Sequence, residues 1–249
     1  MQHAEDKYLI AGGVMNESFQ STRLGLTGHP PVAEEIAVLR DIALCRATGS
    51  RLHVQHITTR RAIDAVRQAK AEGVKVTTEA CPHHFVLTDE EIGRTFNTAL
   101  RVNPPLRSED DRQAVIEGLI DGTIDCIASD HAPHTPESKD CEFDHAPAGM
   151  IGLETTFGLV KTYLIDKGYL SWADAIAKMT INPARIFNLP GGTLAEGAPA
   201  DVTIIDPDKR WTVKAEKFRS KSRNSPFVGY RLRGRVQATI LGGQVVYTA

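Results

Sequence analysis

A short apolar run that ends in ionisable side chains is the feature of this sequence that most restricts its fold. Cys126, Ile127 and Ala128 are followed at once by Ser129-Asp130-His131-Ala132-Pro133-His134. This pattern is typical of a buried parallel strand whose carboxyl end opens into a polar site. In barrels of alternating strands and helices, the chemistry is carried at those strand ends. We therefore expect an α/β fold with a site at Asp130; an ordinary loop cap is the alternative.

The first 190 residues alternate between helical and strand-like patterns. Helices are predicted over 31–48 and 59–72, from Ser108, around 153–164, after Ser171 and from Asn182, and strands over 51–57, 74–80 and 123–129. Such alternation predicts parallel strands joined by helical crossovers. The segment before Pro31 and the segment from His84 to Arg107 are predicted to be irregular, and the segment from His134 to Gly149 is predicted to be a lid or substrate loop.

The pattern changes after Gly191. Strands are predicted over 201–206 and 211–213, and two more flank Gly242-Gly243, which is a two-residue hairpin signal. The sequence therefore predicts two domains, one of alternating strands and helices over 1–190 and a small antiparallel β unit over 191–249; the resemblance described below implies that they are a partial barrel and part of a β-sandwich.

Charge and cysteine content narrow the class of protein. The net charge of −2 is spread over interspersed residues, which gives no reason to expect nucleic acid or an anionic membrane as a partner. The four cysteines show no C-x-x-C spacing, so free thiols in a reducing cytoplasm are expected. No apolar run approaches membrane-spanning length, and we expect a cytoplasmic protein.

Three strand-like runs end in potential metal ligands. His56, His83 and Asp130 each follow such a run. Because the ends of neighbouring barrel strands converge, imidazole and carboxylate groups there can bind a divalent metal, and this ligand set suits zinc. Each residue taken alone could equally be a satisfied polar group at a strand end. His3 lies so close to the start that its position alone suggests disorder or a tag.

Longer motifs connect the sequence to a known family. The matching strings are His3-Ala4-Glu5-Asp6, Val54-Gln55-His56-Ile57-Thr58-Thr59, Glu79-Ala80-Cys81-Pro82-His83-His84, Val102-Asn103-Pro104-Pro105-Leu106-Arg107, Ser129-Asp130-His131-Ala132-Pro133-His134-Thr135, Ala148-Gly149-Met150-Ile151-Gly152-Leu153-Glu154-Thr155 and Asn224-Ser225-Pro226-Phe227. With these motifs the chain resembles the cyclic amidohydrolases and, within them, the dihydroorotases. The resemblance covers the whole chain.

The resemblance implies a fold and a metal centre. Family members fold as a (β/α)8 barrel with a small β-sandwich built from both termini, and the match makes this chain barrel strands five to eight. His3 then ends strand five, His56 strand six and Asp130 strand eight. His3 and His56 resemble the two histidines of one zinc ion. Asp130 resembles a ligand of a second ion and the catalytic acid/base. His83 has no ligand role in the family, and His53 is expected to be structural.

The resemblance also implies a substrate site and a reaction. Asn103 and His134 match substrate-contacting positions, with His134 near the substrate carboxylate. The backbone at Ala148-Gly149 matches a loop that hydrogen-bonds the ring, although Ala148 is often Phe in relatives. The implied reaction is the zinc-dependent, reversible hydrolysis of dihydroorotate to N-carbamoyl-L-aspartate in pyrimidine biosynthesis. An allantoinase, a dihydropyrimidinase and a non-catalytic partner of aspartate transcarbamoylase are the alternatives.

The family's first half has no counterpart here. Relatives carry a His-x-His pair and a substrate-binding arginine on strand one and a bridging carboxylate on strand four. We therefore expect an incomplete half-barrel with exposed strand edges, which is poorly soluble or self-associating and inactive alone. A homo-oligomer is expected for the complete enzyme.

Overall fold

The computed structural model describes residues 1–249. The chain divides into two compact units. The first contains residues 1–153 and 218–226, and the second contains residues 154–217 and 227–249. The domain boundary predicted between residues 190 and 191 stays a prediction. The compact units divide at other residues because the helices after 154 belong with the C-terminal strands.

The first unit contains five short strands and eight helices. The strands are β1 (Met15–Asn16), β2 (Gly28–His29), β3 (Leu52–Val54), β4 (Val76–Ala80) and β5 (Cys126–Ile127). The helices are α1 (Lys7–Ile10), α2 (Phe19–Leu24), α3 (Pro31–Thr48), α4 (Arg60–Ala71), α5 (Pro82–Val86), α6 (Ile92–Thr95), α7 (Glu109–Asp121) and α8 (Pro136–Lys139). The segments predicted as irregular before Pro31 and up to Arg107 thus contain short elements, which lack the length that makes periodicity visible.

A parallel sheet organises the first unit. β3 pairs with β4 and β4 with β5, all parallel. Gln2 forms a further parallel bridge to Val54, with its backbone N–H donating to His53 O at 2.9 Å. The predicted parallel pairing of strands is therefore confirmed. The position-based expectation that His3 is disordered is wrong, because the residue before it is hydrogen-bonded to β3.

Helix α3 packs on the sheet with a different face from the one that the helical spacing of Ile36 and Leu39 predicts. Its bounds match the prediction, but the regularly spaced Ile36 and Leu39 are exposed. The buried face carries Ala33, Ala37 and Ile42 instead. Periodicity gives the spacing of a stripe, whereas the neighbouring elements decide which of two apolar stripes is covered. In α7 the apolar spacing of the sequence predicts that Ile120 faces inward together with Leu119, but Ile120 is exposed.

The second unit combines helices with an antiparallel sheet. Its elements are α9 (Thr156–Val160), a π-helical turn (Lys161–Ile165), α10 (Trp172–Met179), α11 (Ile181–Phe187), β6 (Val202–Thr212), β7 (Arg231–Leu241) and β8 (Gln244–Thr248). β7 pairs antiparallel with both β6 and β8. The predicted antiparallel unit and the Gly242-Gly243 hairpin are confirmed. No helix is long and apolar enough to cross a membrane.

Candidate metal and active site

The carboxyl ends of the parallel strands bring the predicted site residues to one edge of the first unit. His3 follows the bridge at Gln2, His56 follows β3, and Asp130 follows β5. His56 and Asp130 both have positive φ, at 30° and 45°. Such backbone is uncommon for residues other than glycine, costs about 1–3 kcal/mol, and is concentrated at functional sites. The strain therefore marks these two positions as a candidate site.

His3 and His56 face each other through single ring nitrogens. His3 Nδ1 lies 3.1 Å from His56 Nε2, and His3 Nε2 lies 2.9 Å from Glu5 Oε2. Because a carboxylate only accepts, Nε2 of His3 carries the proton and its Nδ1 presents a lone pair. Two nitrogen ligands of one tetrahedral metal ion lie about 3.3 Å apart. The two imidazoles therefore fit one divalent ion with little movement.

Burial prepares His56 for this role. Desolvation lowers the pKa of His56, and the opposing attraction of the Asp130 carboxylate is weaker. The imidazole is therefore neutral at neutral pH, and the neutral form is the one that binds metals. The Asp130 carboxylate is thus close enough to His56 to act on its charge. His56 Nδ1 is buried without a hydrogen-bond partner.

Glu5 connects the metal candidate His3 to the substrate candidate Asn103. Asn103 Nδ2 donates to Glu5 Oε2 at 2.9 Å and lies 3.2 Å from His3 Nε2. Burial alone would raise the pKa of Glu5, but the hydrogen bonds from Asn103 and His3 outweigh it and lower that pKa. Asn103 Oδ1 is left buried and unpaired. Because the amide nitrogen of Asn103 is occupied by Glu5, its Oδ1 remains as an unused acceptor. This atom can accept a hydrogen bond from a substrate.

A second group of residues surrounds His134. Its Nε2 lies 2.9 Å from Ala148 O, and Gly149 N donates to Arg101 O at 2.8 Å. Gly149 has a φ of 131°, and a Cβ there would lie 2.6 Å from that of Ala132, so only glycine fits. Asn224 joins the two loops by donating to Ala132 O and Gly149 O. His134 also lines a cavity of about 240 Å³.

A buried ion pair supports the segment that follows His56. The Glu34 carboxylate accepts hydrogen bonds from the backbone N–H groups of Thr58 and Thr59, both at 2.9 Å, and from their hydroxyls. Arg107 Nη2 lies 3.7 Å from Glu34, and Arg107 also donates to Thr58 Oγ1 and His29 O. This network fixes the backbone two residues beyond His56.

Comparison with known proteins identifies the family of the chain. The sequence profile described as "Amidohydrolase family" matches residues 13–246. The chain belongs to the amidohydrolase family. Members of this family are generally metal-dependent hydrolases, and buried groups able to hold a metal ion are present in the first unit.

Amidohydrolases with curated names give close matches. A dihydroorotase of Pelotomaculum thermopropionicum is 56% identical over 246 residues, which is 99% of this chain and 57% of that protein. A dihydroorotase of Endomicrobium trichonymphae is 50% identical, over 99% of this chain and 58% of that protein. The chain therefore spans a little over half the length of these curated relatives.

Solved amidohydrolase structures share the fold. An L-hydantoinase (dihydropyrimidinase) of Arthrobacter aurescens superposes with a TM-score of 0.88 and 31% identity, covering 99% of this chain and 56% of that one. A dihydropyrimidinase of Brevibacillus agri gives the same TM-score at 24% identity, which supports the fold alone.

Within this amidohydrolase fold, the structure sorts the predicted residues into two groups. His3, His56, Asn103 and Asp130 form one, and His134, Ala148 and Gly149 form the other. Their metal, catalytic and substrate roles remain predictions. Glu5 and Asn224 were not among the predicted site residues. Both lie inside the motif strings, but only tertiary contacts show what they hold in place.

Proposed function

We propose that the chain carries the half of a dihydroorotase active site that includes His3, His56 and Asp130. The observation that supports this best is the 50–56% identity to curated dihydroorotases over 99% of the chain, against 31% to the hydantoinase structure. The reaction is the reversible hydrolysis of dihydroorotate to N-carbamoyl-L-aspartate in pyrimidine biosynthesis. The sequential parallel order of Gln2, β3, β4 and β5 is what strands five to eight of a (β/α)8 barrel require.

The residues divide the chemistry between them. His3 and His56 hold zinc, and a second zinc ion is expected at Asp130 in the complete enzyme. Bound zinc supplies an activated water and polarises the scissile carbonyl. Asp130 accepts a proton from the attacking water and delivers it to the ring nitrogen that leaves. Asn103 and the Ala148–Gly149 loop orient the ring.

The substrate carboxylate needs a polar or cationic clamp. His134 lines the cavity of about 240 Å³ together with Lys139 and Arg223. Arg223 is exposed at the cavity mouth, whereas burial lowers the pKa of Lys139 to about 8, so that side chain keeps its charge at neutral pH. Two cations in the lining favour an anion there, and we propose His134 as the residue that contacts the carboxylate directly. A homo-oligomer and a partnership with aspartate transcarbamoylase stay predictions.

The proposed function is tested with purified residues 1–249, alone and combined with the remaining N-terminal part of the Pelotomaculum relative. With added zinc, we expect the combination to hydrolyse dihydroorotate and to cyclise N-carbamoyl-L-aspartate, and the chain alone to be inactive. Preference for hydantoin, dihydrouracil or allantoin would replace the proposal with another cyclic amidohydrolase. Zinc binding without turnover of any of these substrates would favour the non-catalytic alternative.

Glu5 provides a prediction about metal affinity. Changing Glu5 to Ala removes the acceptor that fixes the proton of His3 on Nε2, so the lone pair on Nδ1 is no longer held toward His56. Loss of such a supporting partner typically weakens metal binding 10–100-fold. We expect a fall of this size in zinc affinity, measured by competition with a chromophoric chelator.

The matched control for Glu5 is Asp6→Asn. Asp6 is the next acid along the chain and caps α1 by accepting from Tyr8 N and Leu9 N, which an asparagine side chain also does. The Asp6→Asn chain should bind zinc with the same affinity as the parent chain. An unchanged affinity in Glu5→Ala would show that the carboxylate does not orient His3.

A further inference from the structure

A second set of potential metal ligands lies just beyond β4. Cys81, His83 and His84 each offer one ligand atom, and these three atoms lie within 4.8 Å of one another. All three residues are almost completely buried, at 0%, 2% and 3% exposure. The family resemblance gives His83 no ligand role, and neither Cys81 nor His84 was predicted to bind a metal. The cluster shares no residue with the candidate site at His3 and His56.

Two nitrogens of this cluster have no partner. His83 Nε2 and His84 Nδ1 are buried without a hydrogen bond. Leaving a buried polar atom unsatisfied costs about 1–3 kcal/mol, so native proteins rarely keep two side by side. An ion bound between the rings would satisfy both.

The Nε2 atom of His84 identifies the tautomer of this ring. Its Nε2 lies 3.0 Å from Pro104 O, and a carbonyl only accepts, so the proton is on Nε2. The unpartnered Nδ1 therefore presents a lone pair to the cluster. A metal-binding histidine characteristically donates its other ring N–H to a carbonyl or carboxylate in this way.

The charges around the cluster favour a cation. Burial lowers the pKa of His83 to about 3 and that of His84 well below its usual value, so both rings are neutral. Burial raises the pKa of the Cys81 thiol, and the carboxylates of Asp130 and Glu79 raise it further. The same two negative charges attract a metal ion, and an ion so placed would stabilise the thiolate.

We propose that Cys81, His83 and His84 bind a divalent ion of the zinc class, distinct from the ions proposed at His3, His56 and Asp130. One thiolate and two imidazoles suit zinc, and the fourth tetrahedral position is left to water. The ion links Cys81, at the end of β4, to the two histidines in α5. The Asp130 carboxylate is close enough to act on the charge of this site. This site does not depend on the proposed enzymatic activity.

The test uses cobalt, because the cluster contains sulfur and the other proposed site does not. The full chain is saturated with Co²⁺ under anaerobic, reducing conditions, and the thiolate-to-cobalt charge-transfer band is recorded in the near ultraviolet. We expect the band in the parent chain. In Cys81→Ser the band should be lost completely, and this variant should bind one ion fewer per chain. In His56→Ala the band should persist, which separates this site from the one at His3.

The controls are the other cysteines. Cys126→Ser alters a buried thiol of β5, and Cys141→Ser removes the exposed one; both should keep the band. Because Cys81→Ser could fail to fold, X-ray absorption of the cobalt-loaded parent chain is recorded as well and should show a sulfur neighbour at about 2.3 Å. Absence of sulfur from the cobalt shell, or loss of the band in Cys141→Ser, overturns the proposal.

Discussion

Replacing Glu34 with alanine should lower the free energy of unfolding by about 3–5 kcal/mol. Removing one partner of a buried ion pair leaves an uncompensated charge, here that of Arg107, which is 3% exposed. The change also removes the acceptor of the backbone N–H groups of Thr58 and Thr59. Urea unfolding of the parent and variant chains, compared at equal m values, measures the difference.

Two further variants separate the buried charge from a general effect of losing an acid. Glu35→Ala changes the neighbouring residue, whose nearest cation is the exposed Arg61 at 3.8 Å, and should alter stability by less than about 0.5 kcal/mol. The double change Glu34→Leu with Arg107→Met should cost less than the sum of the single changes, because neither charge is then left alone. A loss below about 1 kcal/mol in Glu34→Ala would contradict the buried network.

Replacing Asp130 with asparagine should reduce turnover of dihydroorotate by about 10²–10⁴-fold in the reconstituted enzyme. Proton transfer by a positioned side chain contributes roughly this factor, and an amide neither accepts nor delivers the proton. The side chain is nearly isosteric, so the backbone at φ 45° should be kept, since asparagine tolerates this region well. Steady-state hydrolysis at saturating zinc gives the ratio.

Bound zinc must be counted in the same samples, because Asp130 is also a predicted ligand. A loss of turnover at full zinc occupancy assigns the effect to proton transfer, whereas a parallel loss of zinc assigns it to ligation. Asp140→Asn is the control: this exposed acid lies just after α8, and its change should leave turnover intact. Parent-like turnover in Asp130→Asn would remove Asp130 from the mechanism.

The residues around His3 and His56 differ in how far they could be predicted. His56 and Asp130 were accessible from local pattern, because an apolar run followed directly by an ionisable residue marks a strand end. His3 was not, since no run precedes it; the family resemblance supplied its role. Glu5 gave no local signal at all. Its hydrogen bond to Asn103 joins residues 98 apart in the chain.

The helices show the same division. The bounds of α3, α4 and α7 follow from apolar spacing, from glycines at or just after the end and, in α7, from the Ser108 cap, all of which act within a few residues. For α4 the apolar spacing of Ile63, Val66 and Ala69 predicts one inward face, and all three residues are buried. In α3 two apolar stripes compete, and packing against the neighbouring elements buried the one that contains Ala33, Ala37 and Ile42.

The amino-acid sequence by itself determined the order of the longer strands and helices, the parallel and antiparallel parts, and the ionisable residues at the strand ends. These properties depend on contacts between near neighbours in the chain. Only the tertiary structure decided that Glu5 joins His3 to Asn103 and that Glu34 and Arg107 are buried together. The physical reason is that hydrogen bonds and burial between distant segments depend on how the strands are ordered in space, which no local pattern contains.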